Sequence, residues 1–234
     1  MEYLRNFCDG IVVLDTETSG LSFENDEIIE FSAVRLEWKD GQWQSVAEVD
    51  EFVRRIDDKK LSPKIVELTG ITDEMLLEDG ISKQAICELL AQLLKPNTLI
   101  TAYNAQFDLL FLYHLLAKHG DAKILKNQPK LDLLTVYKDR RVFPHKLCNA
   151  IEQYNLQDRV CNSHRAIDDV RATVEVMKEM DAECADLDRY INLFGYNKKY
   201  GVSGSRISSV RYEPQGYENP VKLYERLTQV SALL

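Results

Sequence analysis

The sequence predicts an α/β protein, a mixed sheet flanked by helices. Three observations carry this expectation. Three strand-like runs follow one another at the start of the chain; from about residue 98 strand and helix patterns alternate; and the apolar residues come in short bursts. The bursts never approach the ~18–20 uninterrupted apolar residues of a membrane span. With 234 residues, 45% of them apolar and 29% charged, the chain is long enough for one large domain, or one domain with an appendage.

Taken in order, Gly10 to Leu14 is short and β-branched, which favours a buried strand ending at Asp15-Thr-Glu17. Ile28 to Trp38 and Trp43 to Ile56 alternate loosely, and Asp40-Gly41 between them signals a hairpin. Ser62 is placed to cap a helix that begins at Pro63, and Ser82 opens another carrying Ile86, Leu89, Leu90, Leu93 and Leu94 before Pro96 stops it. Thr98 to Tyr103 reads as a strand, Ala105 to His119 as a helix closed by Gly120, and Lys130 to Leu134 as a short strand. Helices over Pro144 to Tyr154 and Ala166 to about Cys184 complete the pattern.

Charge narrows the choice of partners. The 38 acidic residues outnumber 29 basic ones, for a net charge of −9. That balance argues against a protein coating duplex nucleic acid, which needs many phosphate contacts, but not against one that grips a single strand end through metal ions. The five cysteines are widely spaced and form no C-x-x-C pair, so reduced thiols, most of them buried, are expected in place of disulfides or structural zinc. Met1 to Asp9 lacks the basic and long apolar segments of a secretory signal, and a cytoplasmic location is expected.

The informative carboxylates are those that periodicity turns toward the interior. Asp15 and Glu17 lie two apart and share a face if the strand continues. Asp108 precedes Phe111, Leu112, Leu115 and Leu116 on one helical stripe, although a first-turn acid is also favoured by the helix dipole. Of the adjacent pair Asp168 and Asp169, Asp169 continues into Thr173, Val176 and Met180 and faces inward, whereas Asp168 continues into Ala172, Glu175 and Glu179. His164, just ahead of this helix, can exchange a proton near neutral pH. Each signal is weak alone. Four carboxylates meeting at one sheet need counter-charge, and hard divalent ions, Mg²⁺ or Mn²⁺, are its natural source. Two such ions ~4 Å apart suit an in-line phosphoryl displacement.

These motifs resemble a known family. Asp15-Thr-Glu17, Asn104-Ala-Gln-Phe-Asp108 and His164-Arg-Ala-Ile-Asp-Asp169 look like the three motifs of the DEDD exonucleases, histidine subclass (DEDDh). The chain is similar over about residues 9 to 184 to the epsilon and PolC-type exonucleases of bacterial DNA polymerase III. Ile28-Ile-Glu-Phe-Ser-Ala33, Leu68-Thr-Gly-Ile-Thr-Asp-Glu-Met75, Asp132-Leu-Leu and His145-Lys-Leu also fit. Tyr103 stands where the family often has His, and the third motif has a doubled Asp. The resemblance implies a ribonuclease H-like fold, a five-stranded mixed sheet flanked by helices. It implies a 3′→5′ exonuclease releasing nucleoside 5′-monophosphates from single-stranded 3′ ends. Asp15, Glu17 and Asp169 would bind one metal, Asp15 and Asp108 the second, and His164 would take the proton of the attacking water. Thr18, Leu21 and Phe107 match positions that contact the terminal nucleotide, and Asn104 one that orients the second motif. An RNA-trimming enzyme like ribonuclease T or oligoribonuclease, and a non-catalytic polymerase-binding module, are the competing readings.

The exonuclease domain is expected over residues 1–185 and an extension over 186–234. From Leu187 onward the chain holds six of the eleven tyrosines and carries +3, leaving −12 on the rest. Interleaved Tyr and Lys/Arg there could bind a single strand, but tyrosines packed against the main domain is the favoured reading. Gln229 to Leu234 loosely resembles a peptide that binds a sliding clamp; Val221, Tyr224, Leu227 and Val230 suit a docking helix better. A DNA polymerase or sliding clamp is thus a candidate partner, a membrane is not.

Overall fold

The computed structural model describes residues 1–55, 59–161, 165–216 and 221–226. After a 3₁₀ turn at Glu2–Asn6, strands β1 (Gly10–Thr18), β2 (Ile28–Lys39) and β3 (Gln42–Phe52) form an antiparallel meander. Asp40 and Gly41 take φ of 50° and 79° in the β2–β3 hairpin, as expected of an Asp-Gly turn whose two central residues need left-handed backbone. Helices α1 (Pro63–Thr69), α2 (Asp73–Glu78) and α3 (Lys83–Leu93) follow. Ser62 and Ser82 accept from Ile65 N–H and Ala85 N–H at 3.3 and 3.1 Å, the two caps that the sequence suggests.

The second half supplies β4 (Thr98–Ala102), α4 (Ala105–His119), α5 (Lys123–Lys126), β5 (Lys130–Asp132), α6 (Leu133–Arg140), α7 (Leu147–Gln153) and α8 (Ala166–Glu183). Both β4 and β5 join in parallel, giving a five-stranded mixed sheet of order β3-β2-β1-β4-β5. The expected α/β fold is therefore present.

Parity along β1 decides what each of its residues meets. Ile11 and Val13 enter a core shared with α6, α7 and α8, while Val12 and Leu14 enter a second core shared with α3 and α4. Carried on by the period of two, Asp15 and Glu17 take the α8 side and Thr16 the α4 side. β4 pairs with β1 only as far as Val13. Beyond that point the flank of β1 is open, and the start of α4 fills it.

Several expectations need correction. The strand at Lys130 stops at Asp132, not Leu134, because the Asp132 carboxylate accepts from Leu134 N–H and Thr135 N–H at 3.2 Å each and so starts α6, which was not foreseen. Helix α7 begins at Leu147, not Pro144: the carbonyls of His145 and Lys146 accept from Tyr103 Oη, and Lys146 N–H donates to Asn149 Oδ1 at 3.0 Å. The β3 run ends at Phe52, short of Ile56. Cys8 and Cys87 alone are buried. Cys148 is half-buried, and Cys161 and Cys184 lie exposed in connections where no period turns a side chain inward.

The segment after α8 is structured against the domain. A 3₁₀ turn at Leu187–Tyr190 leads to β6 (Leu193–Tyr196), paired in parallel with β7 (Arg211–Pro214), and a helical turn spans 223–226. Tyr190 and Tyr212 are buried and Tyr200 is 75% exposed. The peptide 229–234, considered above for clamp binding, lies outside the described residues. Among the described residues no helix is long and apolar enough to cross a membrane.

Candidate active site

The C-terminal end of β1 gathers the acidic residues. Single carboxylate oxygens of Asp15, Glu17 and Asp169 all lie within 4.8 Å of one another. Asp169 reaches them from the first turn of α8; its neighbour Asp168 turns outward and meets Arg171 at 3.7 Å. Asp108 comes from the other side of the sheet, buried in the first turn of α4. Its Oδ1 accepts from Thr16 N–H at 3.0 Å and Thr16 Oγ1–H at 2.8 Å. The carboxylate thus takes the amide that β4 leaves unpaired, and Thr16, wedged between Asp15 and Glu17 in sequence, ties α4 to the cluster.

A fifth carboxylate, which sequence reasoning did not single out, lies behind the cluster. Glu30 on β2 stands opposite Glu17 in the ladder and is fully buried. It accepts from Arg165 Nε at 2.8 Å and from the Ala166 amide, the first of α8, at 2.9 Å, and pairs with Arg165 Nη2 at 2.6 Å. A charge inside the apolar run Ile28-Ile-Glu-Phe31 was the available signal. Asp132 is the other missed residue. Its Oδ1 accepts from the amides of Asn104 and Ala105 at 3.0 Å each, so it seats the start of α4 while capping α6. Asn104 itself, expected to orient this motif, sits exposed at φ 74° and makes no side-chain cap bond.

Electrostatics follow from crowding. Burial lifts the Asp15 carboxyl well above the usual range, and the charges of Asp108, Asp169, Glu17 and Glu30 lift it further. Glu17 is pushed up to about 8 by burial and then by Asp169, Glu30 and Asp108, against the pull of Arg165. Asp108 rises to about 7 through burial, which outweighs the two Thr16 hydrogen bonds. Carboxylates this reluctant to ionise beside one another, offering only oxygen donors, fit a hard divalent cation.

The remaining candidates spread outward. Thr18 is buried and donates to the Gly20 carbonyl at 2.6 Å, Leu21 is 87% exposed, and Phe107 packs on Phe111 with ring centroids 4.9 Å apart. Leu21 and Phe107 line one cavity of about 290 Å³. His164 lies outside the described residues.

An acidic cluster presented at the end of a central strand is a candidate site for a divalent cation, and helix α4, whose first turn carries Asp108, also lines the aromatic cavity through Phe107 and Phe111. Comparison with known proteins makes this specific. The exonuclease family model, RNase_T, matches residues 12–177. The chain is 38% identical over 179 residues to the PolC-type DNA polymerase III of Clostridium perfringens, covering 74% of this chain and 11% of that protein. It is 30% identical over 181 residues to the DNA polymerase III subunit epsilon of Treponema pallidum, covering 73% of this chain and 76% of the relative. Exonuclease I of E. coli, solved with a dT13 oligonucleotide, superposes with a TM-score of 0.67 at 22% identity, over 78% of this chain and 43% of the other. The chain belongs to the exonuclease family. It spans about a tenth of the length of the PolC-type relatives it matches.

Proposed function

We propose that this protein is a 3′→5′ exonuclease that removes nucleoside 5′-monophosphates from single-stranded DNA ends, in proofreading or repair. The observation that carries the reading is the trio Asp15, Glu17 and Asp169, whose oxygens lie within 4.8 Å of one another, with Asp108 tied to its base through Thr16. In this reading Asp15, Glu17 and Asp169 hold one divalent ion and Asp15 with Asp108 holds a second, Mg²⁺ or Mn²⁺. When bound, the ions supply positive charge for the scissile phosphate and for water activation. The chain's own part is to fix the carboxylates on three rigid elements. Thr18, Leu21 and Phe107 seat the last nucleotide, Asn104 stands at the N-terminus of α4 one turn from Phe107, and His164 takes the proton of the attacking water. The Treponema pallidum relative is named as a subunit of DNA polymerase III, which supports a polymerase as partner.

Digestion of 5′-labelled single-stranded DNA, single-stranded RNA and a mismatched primer-template, with Mg²⁺ and with Mn²⁺, tests the reading. Stepwise shortening of the DNA strand, faster than that of RNA, is expected. Asp15→Asn should lower the rate by at least ~10³-fold, since the ions stabilise transition-state charge by several kcal/mol. Retained activity in that variant would sink the site assignment.

A further inference from the structure

The cavity beside Phe107 has two sides of different origin. Leu21, Phe107 and their neighbours form one; Ser203, Gly204 and Ser205 form the other, and these three lie beyond the 12–177 family match. The second side is firmly seated. Gln106 Nε2, buried at the start of α4, donates to the carbonyls of Ser203 and Ser205 at 2.9 Å each, and its Oε1 accepts from Tyr212 Oη at 2.6 Å. Both ends of the Gln106 amide are therefore spent on the extension. Gly204 takes φ 68° and backs onto α4, where an added Cβ would meet Leu110 Cδ1 at 2.6 Å. A side chain there would be strained by that backbone and would have to displace the Leu110 methyl.

The loop's composition opposes the rest of the molecule. Residues 197–206 hold three basic side chains and no acidic one, within a chain of net −9. Lys198, Lys199, Tyr200 and Arg206 are all exposed. Lys199 Nζ sits 5.0 Å above the Tyr200 ring, and that ring is 75% exposed, the largest solvent-facing aromatic surface of the extension among the described residues. Exposed cations next to an aromatic face, three to five residues ahead of Ser203, where the chain begins to line the cavity, are what single strands bind: phosphates by charge, bases by stacking.

We propose that residues 197–206 are a strand-binding wall of the exonuclease site. Ser203–Ser205 closes the outer side of the cavity for the last nucleotide, and Lys198, Lys199 and Tyr200 hold the nucleotides that precede it. A cavity of about 290 Å³, just below the ~300–1,000 Å³ range of ligand sites, suits a single unpaired nucleotide better than a base pair. The proposal rests on the exonuclease reading above, for which it names the strand path.

The test compares the full chain with its Lys198→Ser/Lys199→Ser and Tyr200→Ala variants. Binding of a 5′-fluorescein oligothymidylate is read by anisotropy with Ca²⁺ over a salt series, and digestion with Mg²⁺. The double lysine variant should weaken binding about tenfold and flatten the salt dependence of log Kd by about 1.4, at about 0.7 per lost phosphate contact. Tyr200→Ala should weaken binding about fivefold or more without changing that slope, as a lost stacking contact does. In digestion, both losses should be carried by KM. Dissociation constants and slopes equal to those of the unaltered chain would overturn the wall. If the unaltered chain released no mononucleotide with Mg²⁺ or Mn²⁺, catalysis would be what fails, and the binding comparison would still decide the wall.

Discussion

Thr16 shows how much of the site rests on single groups. Its hydroxyl and amide both donate to Asp108, so the one uncharged residue between two carboxylates fixes a third. Thr16→Val keeps the shape and the amide but loses the hydroxyl. A hydrogen bond to a carboxylate contributes ~1.5 kcal/mol or more, so digestion should slow about tenfold, and Thr16→Ser should restore it; an unaltered rate in the valine variant would remove Thr16 from the site. Protons give a second check. Glu17 and Asp108 keep theirs in the fold up to about 8 and about 7, whereas unfolded carboxylates release them near pH 4. The native state therefore binds more protons across this window, and the metal-free protein loses stability as pH rises through it. A divalent cation must displace those protons at low pH and meets ionised ligands at high pH. The gain in Tm on adding Mg²⁺ or Mn²⁺ should be larger at pH 8 than at pH 6, and equal gains would count against the cluster as the binding site.

At the scale of elements, the start of α8 is held by an ion pair between the buried Glu30 and the half-buried Arg165. Glu30 binds Arg165 and the Ala166 amide together, so β2 sets where Asp169 begins its reach toward β1. Arg165 also lies 4.9 Å over the Phe52 ring. Removing one partner strands a buried charge, and Arg165→Ala should destabilise the fold by about 3 kcal/mol in urea unfolding. A midpoint shift too small to measure would mean that the amide alone satisfies Glu30. The period-two and helical stripes made Asp15, Glu17, Asp108 and Asp169 legible, because each faces inward on its own element. Helix α6 was not legible as a helix: its N-cap, Asp132, also serves α4, and eight residues, Leu133–Arg140, give too few turns for a clear stripe. Thr16 was silent for another reason, since its partner lies outside its own element, and the charge of Glu30 inside an apolar run was a signal that still left its partner, Arg165, unnamed.

Across the whole molecule, the extension is joined to both cores. Leu187, Tyr190 and Leu193 complete the core under α6 and α8, and Phe194 and Tyr212 the core under α4. Asn192 N–H donates to the Lys130 carbonyl at 2.7 Å and Lys130 N–H to Asn192 Oδ1 at 2.9 Å, so the extension is tied to β5, while β6 and β7 form a sheet of their own. Each large buried side chain contributes ~1.5–3 kcal/mol, and five of them approach the whole ~5–15 kcal/mol that keeps a domain folded. A chain cut after residue 186 should lose its cooperative melting transition and its near-ultraviolet circular dichroism; melting at the temperature of the full chain would show the extension to be dispensable. The sequence by itself determined the mixed sheet, the four inward carboxylates and their order, because periodicity and caps are written among neighbouring residues. Only the tertiary structure decided which groups hold those carboxylates and what closes the cavity beside them. Thr16 meets Asp108 across 92 positions, Gln106 meets Ser205 across 99, and Glu30 meets Arg165 across 135, and no local pattern reports a partner that the chain reaches only by folding.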